Sequence, residues 1–169
     1  ILLGDSVTLD GTAATDIPDL IYQWEPANFF ACPNCPVQTF FPPNDMTIQV
    51  TVTDEVSNCS FTDFINIGVD KRRRVYIPNA ISPNDDGIND HFTIYGGNDV
   101  VEITSLRIFD RNGALIFEAE NFLPEDVNNG WDGRFLNRKV NPGVFVYFAE
   151  ILFIDNQTEL FRGDLTVIR

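Results

Sequence analysis

Cations are scarce in this sequence: 11 Lys and Arg stand against 25 Asp and Glu, a formal charge of −14. Phosphate binding needs clustered cations to displace counterions, so nucleic acid is excluded as a main partner. Cysteine is nearly as rare, and three residues are too few for a disulfide scaffold. The single His91 precedes an apolar run, and no nucleophile elbow, zinc-protease motif or phosphate loop is present. Two carboxylates at the right separation would make a glycosidase, but Asp-rich turns are far commoner than active sites, and no enzyme is expected. No apolar run approaches the roughly 18–20 residues of a membrane-spanning helix. Helical periodicity is missing too. The chain opens on "ILLGDSVTL", which reads as a strand and not as a signal peptide, so we expect the end piece of a longer protein.

What is there is strand after strand. Hydrophobic residues make up 44% of the chain and include 15 Phe, enough for one sizeable core or two modest ones. Short β-branched and aromatic runs alternate with Gly, Pro, Asn and Asp clusters, the pattern of an all-β protein. In the first part these runs are "SVTLD", "LIYQWEP", "MTIQVTVTD" and "FTDFINIGV". Ile48, Val50 and Val52 alternate with Thr and Gln, as in a half-buried antiparallel strand. Trp24 is expected to plug the space between two sheets. A second series follows: "VYIPNAI", "HFTIYG", "EITSLRIFD", "ALIFEAE", "VFVYFAEILFI" and "ELFRGDLTVIR". Asn112-Gly113 signals a type I′ hairpin. "VFVYFAEILFI" is apolar on both faces, so a central strand covered on both sides is expected. The expected fold is two tandem antiparallel β-sandwiches of the immunoglobulin-like kind, residues 1–70 and 75–169. Between them Lys71, Arg72, Arg73 and Arg74 form a basic stretch, residues 71–74. It reads either as a nucleic-acid or membrane-surface patch or, better, as a solvated linker.

Two clusters invite chemistry. Cys32 and Cys35 in "CPNC" lack the helix that a redox pair needs. Zinc on Cys32, Cys35, Cys59 and His91 lacks a second paired-ligand motif. A local Cys32–Cys35 disulfide is expected instead, leaving Cys59 unpaired or paired outside the chain. The second cluster is "SPNDDGIND", Ser82 to Asp90. Asp85, Asp86, Asn89 and Asp90 offer hard oxygen ligands for calcium, and Gly87 permits a sharp turn. The spacing departs from an EF-hand, and a turn capped by its own Asn and Asp side chains is the competing reading.

Four segments in order carry a resemblance: "YIPNAISPNDDGINDHF", "LRIFDRNGALIFE", "NGWDGRFLNRKVNPGVFVYFAEI" and "FRGDLTVIR". Residues 75–169 thereby resemble the gliding motility-associated C-terminal domain, the type B sorting domain of the Bacteroidetes type IX secretion system. The resemblance implies export across the outer membrane to the cell surface and retention there by a PorP/SprF-like partner. Residues 1–70 are similar to the PKD-like repeats that precede such domains in surface adhesins, through "GDSVTL", "YQWEPANFF", "CPNC", "TIQVTVTD" and "NCSFTD". Many such repeats carry a Cys just before the first strand that partners the Cys59 position. Here Ile1, Leu2 and Leu3 stand in its place. The recognition residues expected are Asn84, Asp85, Asp86, Gly87, Asn89, Asp90, Trp131, Asp132 and Gly133, with Gly163, Ile168 and Arg169 near the chain end. The Trp131-Asp132-Gly133 turn is either read by the machinery or, more simply, a packing device. A calcium-dependent adhesion or glycan- or protein-binding module is the alternative function.

Overall fold

The computed structural model describes residues 1–12 and 19–168. The chain is all-β and consists of two immunoglobulin-like β-sandwich units, Ile1–Arg72 and Arg73–Arg169.

Among the described residues the first unit has five strands: β1 (Val7–Asp10), β2 (Ile21–Glu25), β3 (Val37–Phe40), β4 (Met46–Asp54) and β5 (Cys59–Ile67). β1 pairs with β3, and β2, β4 and β5 form an antiparallel sheet in that order. Trp24 on β2 lies between the two sheets, as expected. Its ring packs on Phe30 at 5.9 Å, and Phe30 meets Phe40 of β3 edge-on at 5.0 Å. A Cβ on Gly11 would come within 2.8 Å of that indole, so only glycine fits there. Trp24 Nε1 donates to the Cys35 carbonyl, and buried Gln38 donates to the carbonyls of Cys32 and Cys35. The Cys32–Cys35 disulfide is formed, so this Pro-rich loop is fixed covalently and by three hydrogen bonds. Cys59 is exposed and forms no disulfide.

Among the described residues the second unit has nine strands: β6 (Val75–Tyr76), β7 (Ala80–Ile81), β8 (Tyr95–Gly96), β9 (Val100–Phe109), β10 (Leu115–Phe122), β11 (Arg134–Phe135), β12 (Arg138–Lys139), β13 (Gly143–Phe153) and β14 (Thr158–Val167). One sheet dominates, in the order β10-β9-β13-β14-β7. The opposing layer is built of short pieces: β6 with β8, β11 with β12, and a bridge between Phe92 and Trp131. Phe92 and Trp131 of that bridge and Ile94 just before β8 are fully buried with Leu106, Ile108, Ala149 and Ile151 of the large sheet.

Four expectations need correction. "VYIPNAI" is two strands, because Pro78 has no N–H to continue a ladder. Its second half, β7, runs parallel to β14, an exception to the antiparallel pattern. β13 is central but covered on one face only. Phe145, Tyr147, Ala149, Ile151 and Phe153 are buried, whereas Val144 and Phe148 are exposed on the other side. There Phe148 stands in register between Arg107 and Arg162, whose long stems suit an apolar neighbour. The hairpin at Asn112-Gly113 exists, but only Gly113 has a positive φ, +82°. Its loop is held by Asp110, whose carboxylate accepts the amides of Asn112 and Ala114, and this is not a type I′ turn. Finally, the basic stretch is not a solvated linker throughout. Arg73 pairs with Asp155 and Glu159, and Arg74 with buried Asp99, all within the second unit.

Candidate recognition surface

Ser82–Asp90 leaves β7 as a loop that satisfies its own backbone. The Asp90 carboxylate accepts three amides: Asn84 and Asp85 at 2.9 Å and Gly87 at 2.7 Å. Asn84 Oδ1 accepts the Asp86 amide, and Asp86 Oδ1 accepts the Ile88 amide at 2.8 Å. Asp85, Gly87 and Asn89 take positive φ values of 69°, 85° and 53°, a conformation that Asp, Gly and Asn tolerate best. The residue types that suggested a metal are therefore those a chain of Asx turns requires.

Calcium does not fit this arrangement. Asp90 is committed to amides, and Asp86 to the Ile88 amide and the Asn84 side chain. Asp85 faces Lys139 Nζ at 2.8 Å and Arg134 at 3.5 Å, two cations where a metal would stand. Asn89 supplies its backbone carbonyl, which accepts the Ser82 amide at 2.8 Å. Among the described residues, no three His, Cys, Asp or Glu side chains converge on a metal position. The zinc reading fails as well, since the disulfide consumes the Cys32 and Cys35 thiolates.

The Trp131-Asp132-Gly133 turn lies against this loop. Trp131 is fully buried, meets Phe145 edge-on at 5.1 Å and donates its Nε1 proton to the Arg134 carbonyl at 2.8 Å. Two backbone bonds tie it to Phe92. Asp132 accepts the Arg134 amide at 3.0 Å. Gly133 has φ +70°, and a Cβ there would sit 2.6 Å from Pro83 Cγ, so glycine is what lets the turn approach the loop. Lys139 completes the staple, donating to the Pro83 carbonyl as well as to Asp85. Between Phe135 and Arg138, Leu136 and Asn137 take φ values of 51° and 61°. Positive φ at both central positions makes this two-residue loop the type I′ turn.

The end of β14 joins the same region. Thr166 donates its amide to the Asn79 carbonyl, and Ile168 donates to that of Ile81, immediately before the loop. Thus Asn84–Asp90, Trp131–Gly133 and Ile168, predicted separately, come together. Gly163 does not. It lies opposite Tyr147 in mid-sheet, where a Cβ would meet the Tyr147 hydroxyl at 2.7 Å, so its role is to make room for that ring. Arg169 lies outside the described residues. Sequence reasoning missed Pro83, Arg134, Lys139 and Leu136. The cation-rich "RFLNRK" in an acidic chain was the available signal.

The loop titrates in a definite direction. The Gly87 amide foremost, then those of Asp85 and Asn84, hold the Asp90 carboxyl below its ordinary 3.8. Lys139 does the same for Asp85 by hydrogen bond and charge. A lowered folded value means stabilisation that is complete above the ordinary value and lost as pH falls through the folded one. Protection of the Asn84, Asp85 and Gly87 amides against exchange, corrected for intrinsic rates, should hold at pH 5 and be lost only as pH falls below the ordinary carboxylate value. Protection unchanged down to pH 2 would contradict the Asp90 cap.

Residues 75–167, more than half of the chain, match the CHU_C type IX secretion signal domain. No curated protein matches the chain. Among solved structures it is similar to PorZ of Porphyromonas gingivalis, an essential surface component of that bacterium's type IX secretion system. Identity is 27% over 57% of this chain and 11% of that one, with a TM-score of 0.35. Dimeric latent PorU from the same organism is 14% identical over 93% of this chain and 17% of that one, TM-score 0.37. The outer capsid protein Hoc of bacteriophage RB49 is 14% identical over 99% of this chain and 55% of that one, TM-score 0.34. The chain thus spans only a small part of the length of PorZ and PorU, and TM-scores this low add nothing to the family match. By that match the chain belongs to the CHU_C type IX secretion signal domain family, and its second unit is a sorting signal for the type IX secretion system, directing export across the outer membrane toward the cell surface or extracellular space.

Proposed function

We propose that the second unit is a non-enzymatic address whose loop face is read by the type IX machinery. A PorP/SprF-like outer-membrane protein then retains the exported chain at the cell surface. The first unit is a PKD-like spacer between this address and an adhesin or gliding-related passenger. One observation carries the reading: the Asp-rich loop, the Trp-Asp-Gly turn and the end of β14 form a single surface fixed by backbone and side chain–backbone hydrogen bonds. Such a surface offers shape without needing a ligand to order it, which lowers the entropic cost of being recognised. Its acid–base character favours recognition over catalysis. Asp85 and Asp90 are both held below the ordinary carboxylate value, the reverse of what a general acid needs near neutral pH.

The test is retention. A reporter carrying its own leader into the periplasm, fused ahead of residue 1 in a type IX-competent cell, should appear on the cell surface. Deleting the PorP/SprF-like protein should release it or hold it inside. Surface display that ignores that deletion sinks the partner assignment.

A further inference from the structure

Leu136 is an odd residue for a hairpin tip. Its φ of +51° lies in the left-handed region, where a Cβ crowds the following carbonyl and where Gly or Asn serves at less cost. Its side chain is 80% exposed, so no burial within the unit offsets that strain. Nor is the tip loosely held. The Trp131 indole donates to the Arg134 carbonyl at its base, Lys139 is stapled to Pro83 and Asp85, and the Val140 amide donates to Gly133. A firmly mounted turn therefore displays a strained, wet leucine, and strain of this kind concentrates where a surface is used. Phe135 beside it is also exposed, at 41%.

Charge says what kind of surface would cover it. Arg134 and Lys139 are engaged by Asp85 and Asp132. Arg138 is exposed and makes no ion pair among the described residues, although the chain carries −14. A chain so acidic repels acidic surfaces in general; Arg111 and Arg162 are also exposed and make no ion pair among the described residues, but of the three only Arg138 stands on the strained tip beside Leu136.

We infer that the β11–β12 tip is a docking point: Leu136 enters an apolar pocket on an outer-membrane component of the secretion machinery, and Arg138 meets an acidic group on the pocket's rim. An apolar anchor ringed by polar contacts is the usual form of an energetic hot spot. The inference rests on the sorting reading and assigns that signal a contact residue.

The experiment uses the whole chain behind an exported reporter, as parent, Leu136→Asn and Arg138→Glu, with thermal unfolding of each purified chain. Leu136→Asn should raise the unfolding midpoint of the second unit, because Asn accepts the left-handed turn, while cutting surface-delivered reporter about tenfold. Arg138→Glu should leave the midpoint in place and also cut delivery severalfold. Rising stability with falling delivery is a combination that a merely structural leucine cannot produce. Delivery unchanged in Leu136→Asn overturns the inference and leaves the sorting reading intact. So does a lowered midpoint, which would make Leu136 a packing residue. A parent chain that dimerises through Leu136 in sedimentation would replace the machinery by a second copy and overturn it as well. A parent retained in the periplasm overturns the inference and the sorting reading together.

Discussion

Replacing Arg73 by alanine should destabilise the second unit by about 3–5 kcal/mol, the range for breaking a buried ion pair from one side. The Asp155 carboxylate is 0% exposed and the Arg73 side chain 12%. Both terminal nitrogens of Arg73 reach the two Asp155 oxygens at 3.3 Å, and Nε donates to Glu159. The guanidinium also lies 4.1 Å above the centre of the Phe153 ring. Burial works against its charge, yet hydrogen bonds to Glu159 and Asp155 outweigh this and raise its pKa above the ordinary value. Alanine deletes the cation that makes the two-pronged contact, so the fully buried carboxylate loses that countercharge while keeping its desolvation cost. Arg73→Lys should recover only part of the loss, since an ammonium cannot make the two-pronged contact. Arg72 supplies the control: its side chain is 77% exposed against Asp70, and alanine there should change stability by less than about 0.5 kcal/mol. Urea unfolding of the whole chain, read by amide exchange in β13 and β14, separates the two cases. Equal, small effects at Arg72 and Arg73 would restore the solvated-linker reading.

Trp131→Ala should be comparably severe, about 3–5 kcal/mol, as for other large-to-small changes at fully enclosed aromatic sites. The indole bridges the layers of the sandwich. It lies edge-on to Phe145 of the large sheet and is bonded through its backbone to Phe92 of the opposing one. Trp131→Phe should fall between, keeping much of the packing but leaving the Arg134 carbonyl without the indole proton. The same exchange measurement applies. A loss under about 1 kcal/mol in Trp131→Ala would mean that the turn stands without its ring and would reopen the possibility that the ring itself is read.

The long strands were legible as runs of eight or more residues rich in β-branched and aromatic types, β4 through its clean alternation and β13 as a nearly continuous apolar stretch. Of the short ones, β1, β2 and β6 to β8 lie within runs read as strands, whereas three were missed. β3, β11 and β12 are two to four residues long and lack a run of β-branched and aromatic residues around them, so tertiary contacts fix them. β13 misled in another way: its outward face carries Val144 and Phe148, and hydrophobicity alone does not say whether a second sheet covers a phenylalanine or only its cross-strand neighbours flank it. At the candidate site, the residue types of Ser82–Asp90 were read correctly and left two readings open. The choice turned on Lys139, 54 positions from Asp85, whose proximity no local pattern encodes. The same distance problem hid Arg73, whose partner Asp155 lies 82 positions away.

Export of a reporter by the whole chain and by residues 1–72 alone, compared in cells with and without a working type IX translocon, tests the central claim most directly. The account predicts that the reporter leaves the periplasm only with the whole chain and only when the translocon works. Equal export by the first unit alone, or export that persists without the translocon, would contradict it.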